Sequence, residues 1–98
     1  MIKINLSNAV LDLSGVSIPD MTLGKLVGNQ LAASNKGDAL KYYDWALSLY
    51  KGEDILVDKS DFKRIKEFVE NSEQLTNLVK AQTIKVLDEA EKAEEITN

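Results

Sequence analysis

The sequence contains no cysteine and no histidine. The first absence excludes disulfides, thiolate metal sites and a thiol nucleophile, and the second removes the commonest acid–base group and metal ligand. No apolar run approaches the roughly 20 residues of a membrane-spanning helix, and the first residues lack the parts of a secretion signal. These absences predict a cytoplasmic protein that is not an enzyme and that uses neither a cofactor nor a metal.

Negative charge is in excess only at the end of the chain. The 98 residues carry a net charge of −4, yet from Asp88 onward five acidic side chains accompany one lysine, so residues 1–87 are neutral. This division predicts one compact domain over residues 1–87 and an acidic helix end that frays in solvent over 88–98. A docking peptide or a mimic of nucleic acid is the alternative for this end.

Short strands are predicted near the start and in the middle of the chain. Ile2, Ile4 and Leu6 alternate with polar residues, and an apolar run at 10–13 follows the turn residues at 7–8, so we predict a hairpin over 2–13. A third strand at 55–57 would pair with this hairpin, because two strands alone are marginally stable. Pro19 predicts a connector over 16–20.

Helical spacing of apolar residues predicts helices over 23–34, 39–50, about 61–71 and 72–93. Their expected N-caps are Asp20 or Thr22, then Asp38, then Asp58 or Ser60. Together with the strands they predict an α+β fold in which a small antiparallel sheet of two or three strands packs against three or four helices. The last helix is as long as such a domain is wide, so its final turns are expected to project or to pair with a second chain.

Two glycines, Gly24 and Gly28, lie four residues apart in the first predicted helix. In a membrane this spacing favours helix dimerisation, but the segment is too short and too polar for that interpretation. The two missing side chains therefore predict that another element packs closely on this helix.

Most aromatic residues fall in the segment 39–50, which is apolar around most of its girth. One stripe consists of Leu40, Tyr43, Leu47 and Tyr50, and a second consists of Tyr42, Trp45 and Leu49. Such a helix is expected at the centre of the core. Because a small core offers few partners for so many polar ring atoms, at least one of the four aromatic side chains is expected at the surface. A binding surface remains the alternative, with Tyr42 and Trp45 as its candidate residues.

The only concentration of basic residues is Lys59, Lys63, Arg64 and Lys66. The three lysines share one side of a helix and are the candidate contacts to nucleic acid, together with Arg64. Acidic residues surround them and cancel most of their field, which favours a solvated face with weak ion pairs.

The only concentration of acidic residues outside the tail is Glu53, Asp54, Asp58 and Asp61. It lacks the ligand register and the bend glycine of a calcium-binding loop. Helix caps and solvated turns are the predicted roles of these carboxylates.

Five short segments resemble those of small uncharacterised proteins of tailed phages and prophages. They are LDLSG at 11–15, TLG at 22–24, KGDAL at 36–40, DKSD at 58–61 and LVKAQ at 78–82. Those proteins have their elements in the same order: a short strand pair, a T-L-G helix start, a second helix, a D-x-x-D helix start and a closing helix. The resemblance extends to about Leu87, and it brings no catalytic residue with it. It implies a phage or mobile-element setting, in the host cytoplasm or the virion.

Two classes of function follow as expectations. The first is a protein–protein interaction or structural-assembly module, with a protein partner or a second copy bound through the last helix. The second is a small regulatory protein that binds nucleic acid through the basic residues at 59–66.

Overall fold

The computed structural model describes residues 1–35 and 37–97, with side chains described up to residue 94. Its elements, in chain order, are β1 (Ile2–Ile4), β2 (Ala9–Leu11), β3 (Ser17–Thr22), α1 (Leu23–Ala33), α2 (Ala39–Tyr50), β4 (Ile55–Val57), α3 (Lys59–Asn71) and α4 (Asn77–Thr97). Two antiparallel sheets of two strands each pack with these helices, so the predicted α+β class is confirmed. Among the described residues, no helix has both the length and the apolar character that crossing a membrane requires.

The predicted hairpin over 2–13 is wrong. β1 pairs with β4, with Ile2 opposite Val57 and Ile4 opposite Ile55. These four side chains form the buried face of the sheet, and Leu56 points outward. The strand at 55–57 is confirmed, and it is the direct partner of β1 rather than a third strand beside a hairpin.

The predicted connector over 16–20 is also wrong, because Ser17–Thr22 forms β3 and pairs with β2. The register between these strands shifts between Ala9 and Leu11, and Asp20 adopts a positive φ of 59°. Pro19 is tolerated because it lies between the paired positions Ser17 and Thr22, in the part of β3 where the register shifts.

α1 and α2 pack closely through the two glycines of α1. A Cβ atom on Gly24 would overlap the carbonyl oxygen of Leu49, and one on Gly28 would lie 2.8 Å from the carbonyl oxygen of Ala46. The close approach predicted from the glycine spacing is therefore confirmed. The hydroxyl of Thr22 caps α1 by accepting from the backbone N–H of Lys25 at 3.1 Å.

α3 and α4 complete the core. Asp58 caps α3, as predicted, and its carboxylate accepts from the N–H of Asp61 at 2.7 Å. α4 begins at Asn77 rather than Ser72, because the hydroxyl of Ser72 accepts from the backbone N–H groups of Gln74 and Leu75 and so holds a turn. One cluster of buried apolar side chains from all four helices and from β1, β2 and β4 forms the core.

The acidic end of α4 contacts the domain as far as its side chains are described. Asp88 pairs with Lys66 at 2.8 Å, Ala90 packs against the core, and Glu94 accepts from the amino group of Met1 at 3.1 Å. The side chains of residues 95–97 and all of Asn98, which belong to the predicted fraying end, lie outside the described part, as does Lys36.

Candidate functional site

Among the residues that the structure describes, four large apolar side chains are exposed on one face of α2. Leu40, Tyr43, Leu47 and Tyr50 are 78%, 58%, 41% and 48% exposed. Their spacing of three, four and three residues places them in one line along the helix. We call these four side chains the α2 stripe.

The burial predicted for the α2 stripe is wrong. The elements that pack on α2 cover only the other side, where Trp45, Ala46 and Leu49 are buried. A domain of this size has too few elements to surround a helix on every side. The stripe therefore faces solvent, although its composition is that of a core.

Local signals hold α2 in place under the stripe. Asp38 caps the helix by accepting from the N–H of Lys41 at 3.1 Å. Gly37 and Gly52 have φ values of 83° and 77°, which side chains rarely adopt. The start of α2 is further tied to α3 by an ion pair between Lys41 and Asp61 at 3.2 Å. The stripe is thus displayed on a helix whose ends and packed side are fixed.

The α2 stripe exposes a considerable area for four side chains. At these exposed fractions they present on the order of 400 Å² to solvent, which is the range of the largest apolar patch on a typical monomer. Asp44 and Lys51, both exposed, lie along one edge and have opposite charges. An apolar line with a charge-balanced edge has the composition of a protein contact surface.

The candidate partner-binding residues Tyr42 and Trp45 lie on the packed side of α2. Trp45 is 8% exposed and Tyr42 is partly buried. Their ring centroids are 5.4 Å apart, and the ring of Tyr42 meets that of Phe68 edge to face at 6.1 Å. Lys41 covers Trp45 with its ammonium 6.0 Å from the ring centroid. The structure thus buries Trp45 and packs Tyr42 against the edge of the core, and the exposed aromatic residues of α2 are Tyr43 and Tyr50.

An open groove of about 800 Å³ lies between the last turns of α1 and α3. Tyr42 and Phe68 line it with aromatic surface, and Gln30 and Asn71 line it with carboxamide groups. The positively charged Arg64 and the negatively charged Glu67 line it as well. The groove brings together Tyr42, which the sequence predicts as a partner-binding residue, and Arg64, which it predicts as a nucleic-acid contact. Its charges offset each other, and its polar groups select no single ligand chemistry.

The candidate nucleic-acid residues do not form a free basic surface. Lys66 is paired with Asp88 at 2.8 Å, and Lys63 lies 3.9 Å from Glu67. The ion pair with Asp88 raises the pKa of Lys66 above its ordinary value of 10.5. Lys59 is exposed on the same side of α3, and Arg64 lines the groove.

Among the acidic residues near β4, Asp58 has the predicted role of a helix cap, whereas Asp61 forms an ion pair, which is not one of the predicted roles. Asp58 caps α3, Asp61 pairs with Lys41, and Asp54 accepts from the side-chain amide of Asn5 at 2.6 Å. Within the part of the chain that the structure describes, no three acidic side chains are grouped so that they could hold a metal ion.

The tip of the β2–β3 hairpin is a second exposed apolar feature. Leu13 is 96% exposed, and Val16 beside it is also exposed. The carboxylate of Asp12 accepts from the hydroxyl of Ser14 at 2.6 Å and from the N–H groups of Ser14 and Val16. The bond from the Ser14 hydroxyl, followed by the backbone bonds, lowers the pKa of Asp12 below its ordinary value of 3.8. This network fixes the turn, but the tip shows a single fully projecting side chain rather than a surface.

α4, through which self-association is predicted, shows no apolar outer face among its described side chains. Its exposed positions beyond the first turn include Ala81, Lys85, Glu89 and Lys92. Small and charged side chains at these positions give a second helix little apolar surface to bury.

Comparisons with known proteins add no relative. No protein-family model, no curated protein and no solved structure matches this chain. The candidate site therefore depends on the geometry of the chain itself.

Proposed function

We propose that this protein is a non-enzymatic protein–protein interaction or assembly module that binds a helix of its partner on the α2 stripe. The exposed line of Leu40, Tyr43, Leu47 and Tyr50 is the observation that carries the proposal. An apolar patch of this size is often functional in monomeric proteins, and tyrosine is favoured at interaction sites.

The spacing of the α2 stripe favours a helix as the bound element. Positions three, four and three residues apart are the a and d positions of two heptads, which receive the side chains of a facing helix. An extended strand repeats every two residues and would meet only part of such a line. A helix with its own apolar face is thus the partner chemistry that fits.

The absence of histidine and cysteine supports a role without catalysis. The alternative of nucleic-acid binding has less support, because Lys66 and Lys63 already have acidic partners and residues 1–87 are neutral. The sequence resemblance to tailed-phage and prophage proteins supports a phage setting, in which virion structure, assembly or an accessory role would use such a module.

The test compares substitutions on and off the stripe. Proteins captured from a lysate by the wild-type chain are identified, and the best candidate is purified and titrated against variants. We expect Leu47→Lys to weaken binding at least tenfold, because a buried charge replaces an apolar contact. Leu56→Lys is the matched control, since Leu56 is 62% exposed on β4 outside the stripe. A purified partner whose affinity falls with Leu56→Lys and not with Leu47→Lys would contradict the proposal.

A further inference from the structure

We infer that the helix received by the α2 stripe is α2 of a second copy of this chain, packed antiparallel about a two-fold axis. The inference rests on the proposed function, since it names the partner of the same surface. It moves self-association away from α4, whose described outer positions are small or charged, to the helix that carries the exposed leucines and tyrosines.

The order of side chains along the stripe is complementary to itself. Leucine and tyrosine alternate at 40, 43, 47 and 50. When two such helices run antiparallel with the axis midway along the stripe, Leu40 faces Tyr50 and Tyr43 faces Leu47 of the other copy. Every layer then joins one large and one smaller side chain. A parallel pair would place tyrosine against tyrosine and leucine against leucine in successive layers, which packs unevenly.

The edge of the stripe is neutral in total in this arrangement, but its charges weaken the dimer near the axis. Asp44 and Lys51 are both exposed and lie seven residues apart on one flank. In a two-fold antiparallel pair this flank meets its own copy, so the two Asp44 carboxylates lie close to each other at the axis and repel, with Lys51 of each copy further out along the rim. The long lysine side chain can reach along the rim toward the carboxylate of the other copy. Lys41 does not disturb the rim because it is held by Asp61 at 3.2 Å.

The available area predicts a weak dimer. On the order of 400 Å² from each copy is about half of what each partner contributes to a standard stable interface. We therefore expect the dimer to form in proportion to concentration and to exchange rapidly with monomer.

Sedimentation equilibrium of the full chain over about 10 μM to about 1 mM tests the dimer. We expect the average mass to rise from one chain toward two. Leu40→Lys should raise the dimer dissociation constant at least tenfold, and Leu56→Lys and Leu13→Lys should leave it within about twofold. Circular dichroism shows whether each variant keeps its helices. A wild-type mass of one chain across the whole range, or equal effects of the stripe and control substitutions, would overturn the inference.

The absence of cysteine allows the direction of packing to be tested by cross-linking. A mixture of Leu40→Cys and Tyr50→Cys chains, distinguished by mass, should form a mixed disulfide dimer under mild oxidation. Each variant alone should not, because antiparallel packing separates identical stripe ends by about 15 Å along the axis, beyond the roughly 7 Å that a disulfide spans. Efficient cross-linking of Leu40→Cys with itself, at a level above that of Leu56→Cys, would overturn the antiparallel arrangement.

These results separate the inference from the function on which it rests. If the chain is monomeric and a purified foreign helix still binds in a manner sensitive to Leu47→Lys, self-pairing is wrong and the interaction module stands. If neither a second copy nor any purified partner binds the stripe, both proposals fail.

Discussion

The two helix pairs of this domain are held together in different ways. α1 and α2 meet backbone against backbone, with Gly24 beside the carbonyl of Leu49 and Gly28 beside that of Ala46. α3 and α4 meet through side chains, and long polar groups tie them at the surface: Lys66 to the carboxylate of Asp88 and Lys80 to the carbonyl of Glu70.

This difference explains why α2 exposes apolar side chains and α4 does not. The glycines of α1 contact the backbone of α2 at Ala46 and Leu49, and the covered side of α2 takes up Trp45, Ala46 and Leu49, so its remaining large apolar residues are left on the opposite face. α4 uses its apolar residues, among them Val79 and Leu87, against the core and shows small or charged side chains outside. The close approach of α1 and α2 is thus linked to the exposure of the α2 stripe.

We expect the largest loss of stability from Gly24→Ala, which disturbs the packing of α1 on α2. The added methyl group overlaps the carbonyl oxygen of Leu49 and lies 2.9 Å from that of Leu6, and neither backbone atom can turn aside. We expect a loss of about 3 kcal/mol or more in the free energy of unfolding, measured by urea denaturation. Gly15→Ala is the control, because it adds a methyl group in open space at a φ of 87° and should cost only about 1–2 kcal/mol. Equal losses in the two variants would contradict close backbone packing of α1 on α2.

Thr83→Val, in α4 of the second helix pair, is expected to raise the stability of the domain rather than to lower it. The hydroxyl of Thr83 is fully buried in α4 and has no hydrogen-bond partner. Valine has nearly the same shape without the polar atom, so we expect a gain of about 1 kcal/mol and a rise of several degrees in Tm.

Thr22→Val is the matched control for this gain. Its hydroxyl caps α1 by accepting from Lys25, so the same substitution there should cost about 1 kcal/mol. A loss of stability in Thr83→Val would mean that the hydroxyl is hydrogen-bonded in solution.

Local signals allowed much of the fold to be predicted from the sequence. Thr22, Asp38 and Asp58 cap helices where their side chains and spacing indicate, because a cap depends only on the next three residues. Strand pairing is not local. Ile2 and Ile4 pair with a strand more than fifty residues away, and nothing in their neighbourhood distinguishes that partner from the apolar run at 10–13.

The candidate site was predictable as a pattern but not as a surface. Both apolar stripes of α2 are visible in the sequence, whereas the choice of the covered one depends on which elements reach it. The available signal for that choice was the spacing of Gly24 and Gly28. It predicts that another element packs closely on α1, and the opposite side of that element is then left open. Only the structure places Trp45 beneath Lys41 and leaves Leu40 and Tyr43 in solvent.

The smallest expected effect concerns the ion pair that joins α3 to α4. The hydrogen bond to Asp88 raises the pKa of Lys66 above 10.5. A raised pKa in the folded state means that the stabilisation is complete below the unfolded value and is lost as pH rises through the folded value. Because both side chains are partly exposed, the coupling should be only about 0.5 kcal/mol.

A double-mutant cycle of Lys66→Met and Asp88→Asn measures this coupling by urea denaturation. It should be constant from neutral pH to about 10 and decline above that. The same cycle at Lys63 and Glu67, whose charged atoms are 3.9 Å apart on a more exposed surface, should give no measurable coupling. If both cycles give the same value, the tie between α3 and α4 is no stronger than an ordinary surface pair. The packing of α3 on α4 would then depend on apolar side-chain contacts alone. It would differ more strongly from the packing of α1 on α2, which depends on glycine.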